Sequence, residues 1–391
     1  MVFILEKFVF TLWELQRMPT YFSDSLKTWS AQGHSIYGGV NFNLSGRGGE
    51  FLTRKLQLVI EYPLQLPIWR AVEGTLNGEW NEFVSRADGL FFLLVIAFII
   101  GGTFWRLFGK KWIALTAILV IVSLPLQVWH AASGYADIAV EAYVVAALAA
   151  FIRKEWWLCG LLMAGATWAK NDGLAIFLPG VLVAVFVYHV FSRESTFLKR
   201  FLNMVQFGLG AALMLPWIVF QALYTHSVFS RIIKPLQGLL SSTHYDPLDY
   251  QVVLTQAKGS QPSSISLIWD YVFLGSTHSV FWWIIILGLL ICSKNLIMDR
   301  MGRSILLFFL ITVFVIFYVF TYTDAYQFLL IQTTFHRTLL QFSAAALLIV
   351  GYGMSLFYKE RIVVNLDETS PKLKLVKVSP KPKLVKNKKG K

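Results

Sequence analysis

Long apolar runs, each nearly free of charged residues, alternate with polar connections along the 391-residue chain. A helix of about 20 residues crosses a hydrocarbon core roughly 30 Å thick, so each long run is a candidate span. The candidate runs cover residues 2–15, 89–108, 112–130, 138–152, 156–169, 173–191, 201–224, 279–293, 304–322 and 338–358. The pattern predicts an all-α polytopic membrane protein with about nine to ten transmembrane helices.

Two of these runs leave alternatives open. The run 2–15 is short and contains Glu6 and Lys7, so it is either an interfacial helix or the remainder of a longer first span whose beginning is missing. The run 156–169 is too short to cross alone. It meets the next run through a polar join at 170–173, which we expect at membrane depth or just outside it.

Composition excludes several function classes. The chain is 56% apolar and 15% charged, against roughly 45–50% and 25% in soluble domains. Cys159 and Cys292 both lie inside apolar runs, which argues against a disulfide framework or a thiolate metal site. The sequence contains no Walker loop, dinucleotide-binding glycine motif or His-Glu-x-x-His motif, which argues against ATP-driven transport and zinc proteolysis.

The net charge of +13 is concentrated in the last segment, where residues 359–391 hold eleven basic and three acidic residues. This composition predicts a disordered tail after a transmembrane domain at 1–358. Its expected partner is the anionic headgroup layer, at about 1 kcal/mol per basic residue, and not nucleic acid. A tail that only adds solubility and sets the topology is the alternative.

Basic residues in the short connections set the orientation, because they remain on the cytoplasmic side. Five basic clusters fall on one side of the predicted spans, namely 106–111, 153–154, 193–200, 294–303 and the tail. The tail is therefore predicted to be cytoplasmic, in a plasma or inner membrane, and loops 16–88 and 225–278 to lie outside. Aromatic and leucine residues interleaved with polar ones predict amphipathic surface helices in the first outer loop. Only Lys170 and Arg337 lie on short outer connections.

Acidic residues on the outer side are candidates for chemistry. Asp24 precedes Ser25 in the first outer loop and either caps a helix there or acts on a substrate. Asp137 and Glu141 lie four residues apart, on one face of a helix. A role as an N-cap alone is the alternative for Asp137. Glu141 lies a full turn into an apolar run, where an ionisable group costs a few kcal/mol unless it meets a partner or water. We expect the pair to line a water-filled cavity.

The two outer cations also allow two interpretations each. Lys170 must find an anion, and an internal ion pair with Asp172 is the simplest one. Arg337 follows His336 at the start of the last span, where a helix N-terminus and a guanidinium together suit a phosphate. The alternative for Arg337 is a side chain that reaches out to lipid headgroups.

The order of these segments resembles the GT-C membrane glycosyltransferases, in particular relatives of the protein mannosyltransferase, aminoarabinose transferase and RgtA-like families. The resemblance covers roughly residues 21–358. Five stretches carry it: Asp24–Ala31, Tyr62-Pro63 with Pro67, Tyr135–Ala139, Gly165–Leu174 and His336–Leu340.

This resemblance implies a glycosyltransferase that takes sugar from a polyprenyl phosphate and inverts the anomeric centre outside the cytoplasm. The acceptor would be a glycan, a lipid or a protein. The resemblance makes Asp24 the catalytic base and Asp137 a second acidic residue at the reacting centre. It assigns substrate binding to Tyr62, Glu141, Lys170, Asp172, His336 and Arg337, with the two cations near the lipid phosphate.

The sequence departs from the family pattern at three points. The span expected before Asp24 is curtailed, Asp137 is paired with Glu141 in place of an Asp-x-Asp, and Asp172 stands where Glu is commoner. The second departure leaves the need for a divalent cation open. No metal ligand set and no other cofactor is predicted.

Two other functions remain open at this point. A transporter or lipid flippase is one, although the sequence shows no paired internal repeat of the kind that transporters carry. An inactive relative that binds donor lipid without turnover is the other.

Overall fold

The structure is a computed structural model. It describes residues 1–17, 25–38, 62–191, 196–222, 263–275, 277–278, 280–323, 325–330 and 334–369, with side chains to residue 358. The predictions for Asp24, for most of the second long outer loop and for the end of the basic tail lie outside these residues.

The described residues form helices joined by short connections, with no strand among them. In chain order the helices are α1 (Val2–Arg17), α2 (Ala31–Tyr37), α3 (Gln65–Asn77), α4 (Glu82–Phe108), α5 (Lys111–Val122), α6 (Pro125–Ser133), α7 (Asp137–Ile152), α8 (Trp156–Ala169), α9 (Leu178–Val190), α10 (Phe197–Ala211), α11 (Leu215–Phe220), α12 (Ser264–Trp269), α13 (Phe281–Met298), α14 (Arg300–Tyr322), α15 (Tyr326–Leu330) and α16 (Phe335–Thr369). Three π-helical turns, Ser25–Ser30, Gly173–Phe177 and Asp270–Leu274, adjoin α2, α9 and α12.

Six helices of the described chain are long and apolar enough to cross a membrane. They are α4, Gly173–Val190, Phe197–Phe220, α13, α14 and the part of α16 up to Tyr358. The sequence analysis predicts about nine to ten spans, more than these six, because every apolar run is taken as a candidate span. Several of those runs form helices of 16 residues or fewer, such as α1, α7 and α8.

The apolar run 112–130 differs from the single span that the sequence predicts. It forms α5 and α6, which are bent by 65° to one another, so that the two count as at most one broken span. Pro125 is the first residue of α6, and Leu124 before it is extended. A proline lacks the N–H for a continuous helix and disfavours helical geometry in the preceding residue.

Helix α16 forms the centre of the bundle. Of its apolar window between Phe335 and Tyr358, 83% is buried inside the protein, against 22% to 56% for the other five spans. Its inner faces carry small residues, including Ala344, Ala345 and Ala346, all fully buried. Small side chains allow close approach between helices in a membrane, so several helices surround α16.

The two ends of the bundle differ in charge. Asp137, Lys170 and Arg337 meet where α7 begins, α8 ends and α16 begins. Basic residues from three separate clusters gather at the other end, around the last turn of α9: Arg300 Nε donates to the carbonyl oxygen of Tyr188 at 3.0 Å, Arg200 Nη1 donates to that of Val190 at 3.3 Å, and Lys154 Nζ lies 6.0 Å from the Tyr188 ring.

Candidate active site

The candidate site is centred on Asp137, the first residue of α7, whose side chain is 0% exposed. One carboxylate oxygen accepts from Lys170 Nζ at 2.9 Å and from Gln341 Nε2 at 2.6 Å. The other accepts from Arg337 Nε at 3.1 Å and from Arg337 Nη2 at 2.8 Å. Three segments that are distant in sequence therefore converge on one carboxylate.

Asp172 completes this group. Its Oδ2 lies 2.8 Å from Lys170 Nζ and accepts from Gln341 Nε2 at 2.8 Å. The two cations thus face two carboxylates, and the charges of the four side chains cancel. The internal ion pair of Lys170 with Asp172 is present, and Lys170 adds Asp137 as a second partner.

The surroundings keep the Lys170 amine charged. Burial alone would lower the pKa of this amine, but Asp137 and Asp172 raise it above its ordinary value. Tyr62 lies close enough to add a weaker electrostatic interaction. The Tyr62 ring packs edge-on against Trp29, with ring centroids 5.3 Å apart.

Arg337 is held against the protein. Its side chain is 12% exposed, and its guanidinium carbon lies 4.2 Å from the Tyr135 ring centroid. This geometry differs from a side chain that extends to headgroups. His130 lies beneath the same carboxylate, with Nδ1 3.6 Å from Asp137 Oδ2, and is fully buried.

Glu141 differs from its predicted setting. The side chain is fully buried and accepts hydrogen bonds from Gln127 Nε2 at 2.6 Å, from Ser343 Oγ at 2.6 Å and from the backbone N–H of Ala344 at 2.9 Å. A buried carboxylate with such donors is satisfied internally, so Glu141 joins α6 and α16 to α7.

His336 faces a different neighbour from Asp137. Its Nδ1 lies 3.1 Å from Thr277 Oγ1, and its ring centroid lies 6.1 Å from that of His278. Although it is adjacent to Arg337 in sequence, it contacts the segment that follows α12.

A second buried network supports the turn before Asp137. Arg70 of α3 donates to Asp88 of α4 at 3.0 Å, to Ser30 Oγ at 3.2 Å and to the carbonyl oxygen of Gly134 at 2.8 Å. Gly134 has φ +75°, a backbone geometry that glycine adopts without strain. The first outer loop is thereby fixed to the turn that leads into α7.

Sequence reasoning did not identify Gln341 and Arg70. Gln341 was detectable, since it lies four residues after Arg337 and therefore on the same helix face. Arg70 had no comparable local signal, because its partners lie 18 to 64 residues away.

The described residues do not fit a divalent cation. Both oxygens of Asp137 are engaged by cationic or amide donors. Within the described ranges, no group of three or more His, Cys, Asp or Glu side chains could hold a metal ion.

The fold, once established, can be compared with known proteins. No protein-family model and no curated protein matches the sequence. ArnT from Cupriavidus metallidurans in the apo state is similar in structure, with a TM-score of 0.58 and 14% identity over 93% of this chain and 61% of that one. The Archaeoglobus fulgidus oligosaccharyltransferase in the apo form is also similar, with a TM-score of 0.53 and 12% identity over 93% of this chain and 52% of that one.

The chain therefore spans less than two thirds of the length of either solved structure. At such low identity the likeness concerns the fold and not the activity. With six candidate spans among its described residues, the chain is an integral membrane protein whose fold is similar to that of these two solved structures.

Proposed function

We propose that this protein is an integral-membrane glycosyltransferase that takes sugar from a polyprenyl-phosphate-linked donor. The observation that carries the proposal is the convergence of Lys170 and Arg337, the two solitary basic residues of the predicted outer connections, on Asp137. Two cations held at one site suit a phosphate group. The fold supports the same conclusion, since one of the two similar structures is an oligosaccharyltransferase by name.

The charge distribution supports the proposed side of the reaction. Basic residues gather around the end of α9, away from Asp137. Because basic connections stay in the cytoplasm, that end of the bundle is cytoplasmic and the Asp137 cluster is extracytoplasmic. The sugar is therefore transferred outside the cytoplasm to a glycan, lipid or protein acceptor.

The proposed chemistry is a single displacement that inverts the anomeric carbon. The acceptor oxygen forms a bond to that carbon while the bond from the carbon to the phosphate oxygen breaks. The acceptor proton passes to the Asp24 carboxylate, and general-base catalysis of this kind contributes about 10²–10⁴-fold in rate. The electron pair of the broken bond remains on the polyprenyl phosphate.

The leaving phosphate gains negative charge, which preorganised cations stabilise. Lys170 and Arg337 supply these cations, and Asp137 orients them through both of its oxygens. Asp172 has the most exposed side chain of the four, at 23%. We expect the lipid phosphate to replace Asp172 as a partner of Lys170. Tyr62 and His336 are the further residues proposed to bind the substrate.

An in vitro transfer assay with a polyprenyl-phosphate sugar tests this function. We expect Asp24→Asn to lower turnover by about 10²-fold or more, because no carboxylate accepts the proton. Asp270→Asn is the matched control, since Asp270 is exposed in the π-helical turn after α12. It should keep wild-type turnover.

Near-wild-type turnover of Asp24→Asn would remove the proposed mechanism. Movement of the donor lipid across vesicle membranes without any covalent product would instead favour a flippase. Donor binding without turnover in the wild-type protein would identify an inactive relative.

A further inference from the structure

A groove distant from the Asp137 cluster lies between α9 and α14. It encloses about 310 Å³ and is lined by apolar side chains that include Val187, Phe191, Leu306 and Leu310. Arg300 and Arg303 lie at its edge, in the first turn of α14. The groove thus combines an apolar wall with two guanidinium groups.

The apolar wall belongs to the lipid-facing surface. Phe191, directly after α9, is 62% exposed, and Leu310 of α14 is 51% exposed. Both adjoin helices whose length and composition suit a membrane span. In a bilayer such side chains contact acyl chains. The apolar wall runs along α14 away from the arginines. A lipid could therefore contact the arginines with its headgroup and the apolar wall with an acyl chain.

The charged end of the groove is built from fixed parts. The Arg300 guanidinium stacks 3.9 Å from the Tyr188 ring centroid and donates through Nε to the Tyr188 carbonyl oxygen. Arg200 adds a third positive charge beside the end of α9. The nearby Asp299 carboxylate is already engaged, by the N–H of Gly302 and by the Tyr352 hydroxyl.

Arg303 is exposed, and among the described residues no carboxylate forms an ion pair with it. Arginine binds phosphate well because its planar guanidinium group can donate two parallel hydrogen bonds to it. Basic pockets between transmembrane helices on the cytoplasmic side bind anionic headgroups in other proteins.

We propose that this groove binds an anionic phospholipid, with the phosphate against Arg303 and Arg300 and one acyl chain along Leu306 and Leu310. The inference does not depend on the glycosyltransferase activity. It assigns a structural lipid to the end of the bundle opposite the Asp137 cluster.

Lipid titration of the delipidated full-length protein, followed by native mass spectrometry, tests the proposal. We expect phosphatidylglycerol to bind more tightly than phosphatidylcholine and to raise the thermal unfolding midpoint. Arg303→Gln should weaken phosphatidylglycerol binding about fivefold, the effect of one basic residue at a membrane surface. Lys294→Gln is the matched control, because Lys294 is exposed at the same end outside the groove.

A second variant tests the apolar half of the groove. Leu310→Trp fills it without altering charge and should also weaken phosphatidylglycerol binding. Inorganic phosphate alone should give no thermal shift, since it lacks the acyl chain. Equal binding of the two lipids, or equal affinities in Arg303→Gln and Lys294→Gln, would overturn the proposal.

Discussion

At the scale of single residues, the cations of the candidate site have carboxylate partners before any substrate arrives. Buried charges are costly unless they are paired, and Asp137 and Asp172 provide the pairs for Lys170 and Arg337. Asp137 is enclosed, whereas Asp172 is partly exposed. An incoming phosphate would therefore compete with Asp172 more easily than with Asp137.

This competition predicts the effect of Asp172→Asn. The variant removes one negative charge beside Lys170, so the donor phosphate no longer has to displace it. We expect the KM for the donor to fall about fivefold, since two charges about 4 Å apart interact by roughly 1 kcal/mol even in water. Steady-state kinetics with varied donor measure the change.

Glu79→Gln serves as the control for Asp172→Asn, because Glu79 is exposed on the turn before α4. Its KM should match that of the wild type. A KM that rises in Asp172→Asn would mean that Asp172 holds the donor and does not compete with it.

Some residues of the candidate site could be predicted from the sequence, and others could not. Lys170 and Arg337 were detectable because they are basic residues on predicted outer connections, and Asp137 because it opens an apolar run. Their meeting was not predictable from local pattern, since Asp137 and Arg337 lie 200 residues apart. The hydrogen-bond donors to Glu141 on α6 and α16 were not predictable either, because they too are distant in sequence.

At the scale of helices, Arg70 connects four parts of the region around the start of α7. Its guanidinium joins α3 to α4, to the π-helical turn Ser25–Ser30 and to the turn before α7. Arg70 is fully buried and Asp88 is 2% exposed. Removal of one partner would leave the other as an unpaired buried charge.

We expect Arg70→Met to lower the free energy of unfolding by about 3–5 kcal/mol, the usual cost of breaking a buried ion pair. Arg70→Met combined with Asp88→Asn should recover part of this loss, since no unpaired charge then stays buried. Denaturant or thermal unfolding of the purified protein measures both.

Arg153→Gln is the matched control for Arg70→Met. Arg153 pairs with Glu155 at 2.9 Å, but both side chains are at least 33% exposed. Loss of such a pair should cost only about 0–1 kcal/mol. If Arg70→Met were as stable as Arg153→Gln, the network would have no structural role.

At the scale of the whole molecule, close contacts between helices depend on glycine. A Cβ atom at Gly160 of α8 would lie 2.1 Å from the Phe207 carbonyl oxygen of α10. A Cβ atom at Gly210 of α10 would lie 2.2 Å from the Trp157 carbonyl oxygen. The two backbones approach each other closely, as small residues permit in membranes.

Gly160→Ala should therefore force α8 and α10 apart and lower the unfolding free energy by about 1–3 kcal/mol. Gly102→Ala on α4 is the comparison, because nothing lies within 4 Å of its added Cβ. That variant should be neutral or stabilising by up to about 1 kcal/mol, since alanine favours helix. Equal unfolding midpoints for the two variants would contradict the packing.

The helical architecture was predictable at this scale because a bilayer core admits few alternatives to a helix for an apolar run. The number of spans was harder to predict from the sequence. The length of an apolar run does not by itself distinguish a helix that crosses the membrane from a short helix packed in the bundle. The bend between α5 and α6 had a signal in Pro125, but its 65° angle depends on tertiary packing.

The central position of α16 has a consequence for biogenesis. Among the described helices this one comes last in the chain, and so it leaves the ribosome after the others. Until it inserts, Asp137 lacks Arg337 and Gln341, and Glu141 lacks Ser343 and Ala344. A nascent chain halted before residue 335 would hold Asp137 with Lys170 and Glu141 with Gln127 only, so both buried carboxylates complete their hydrogen bonds late in synthesis.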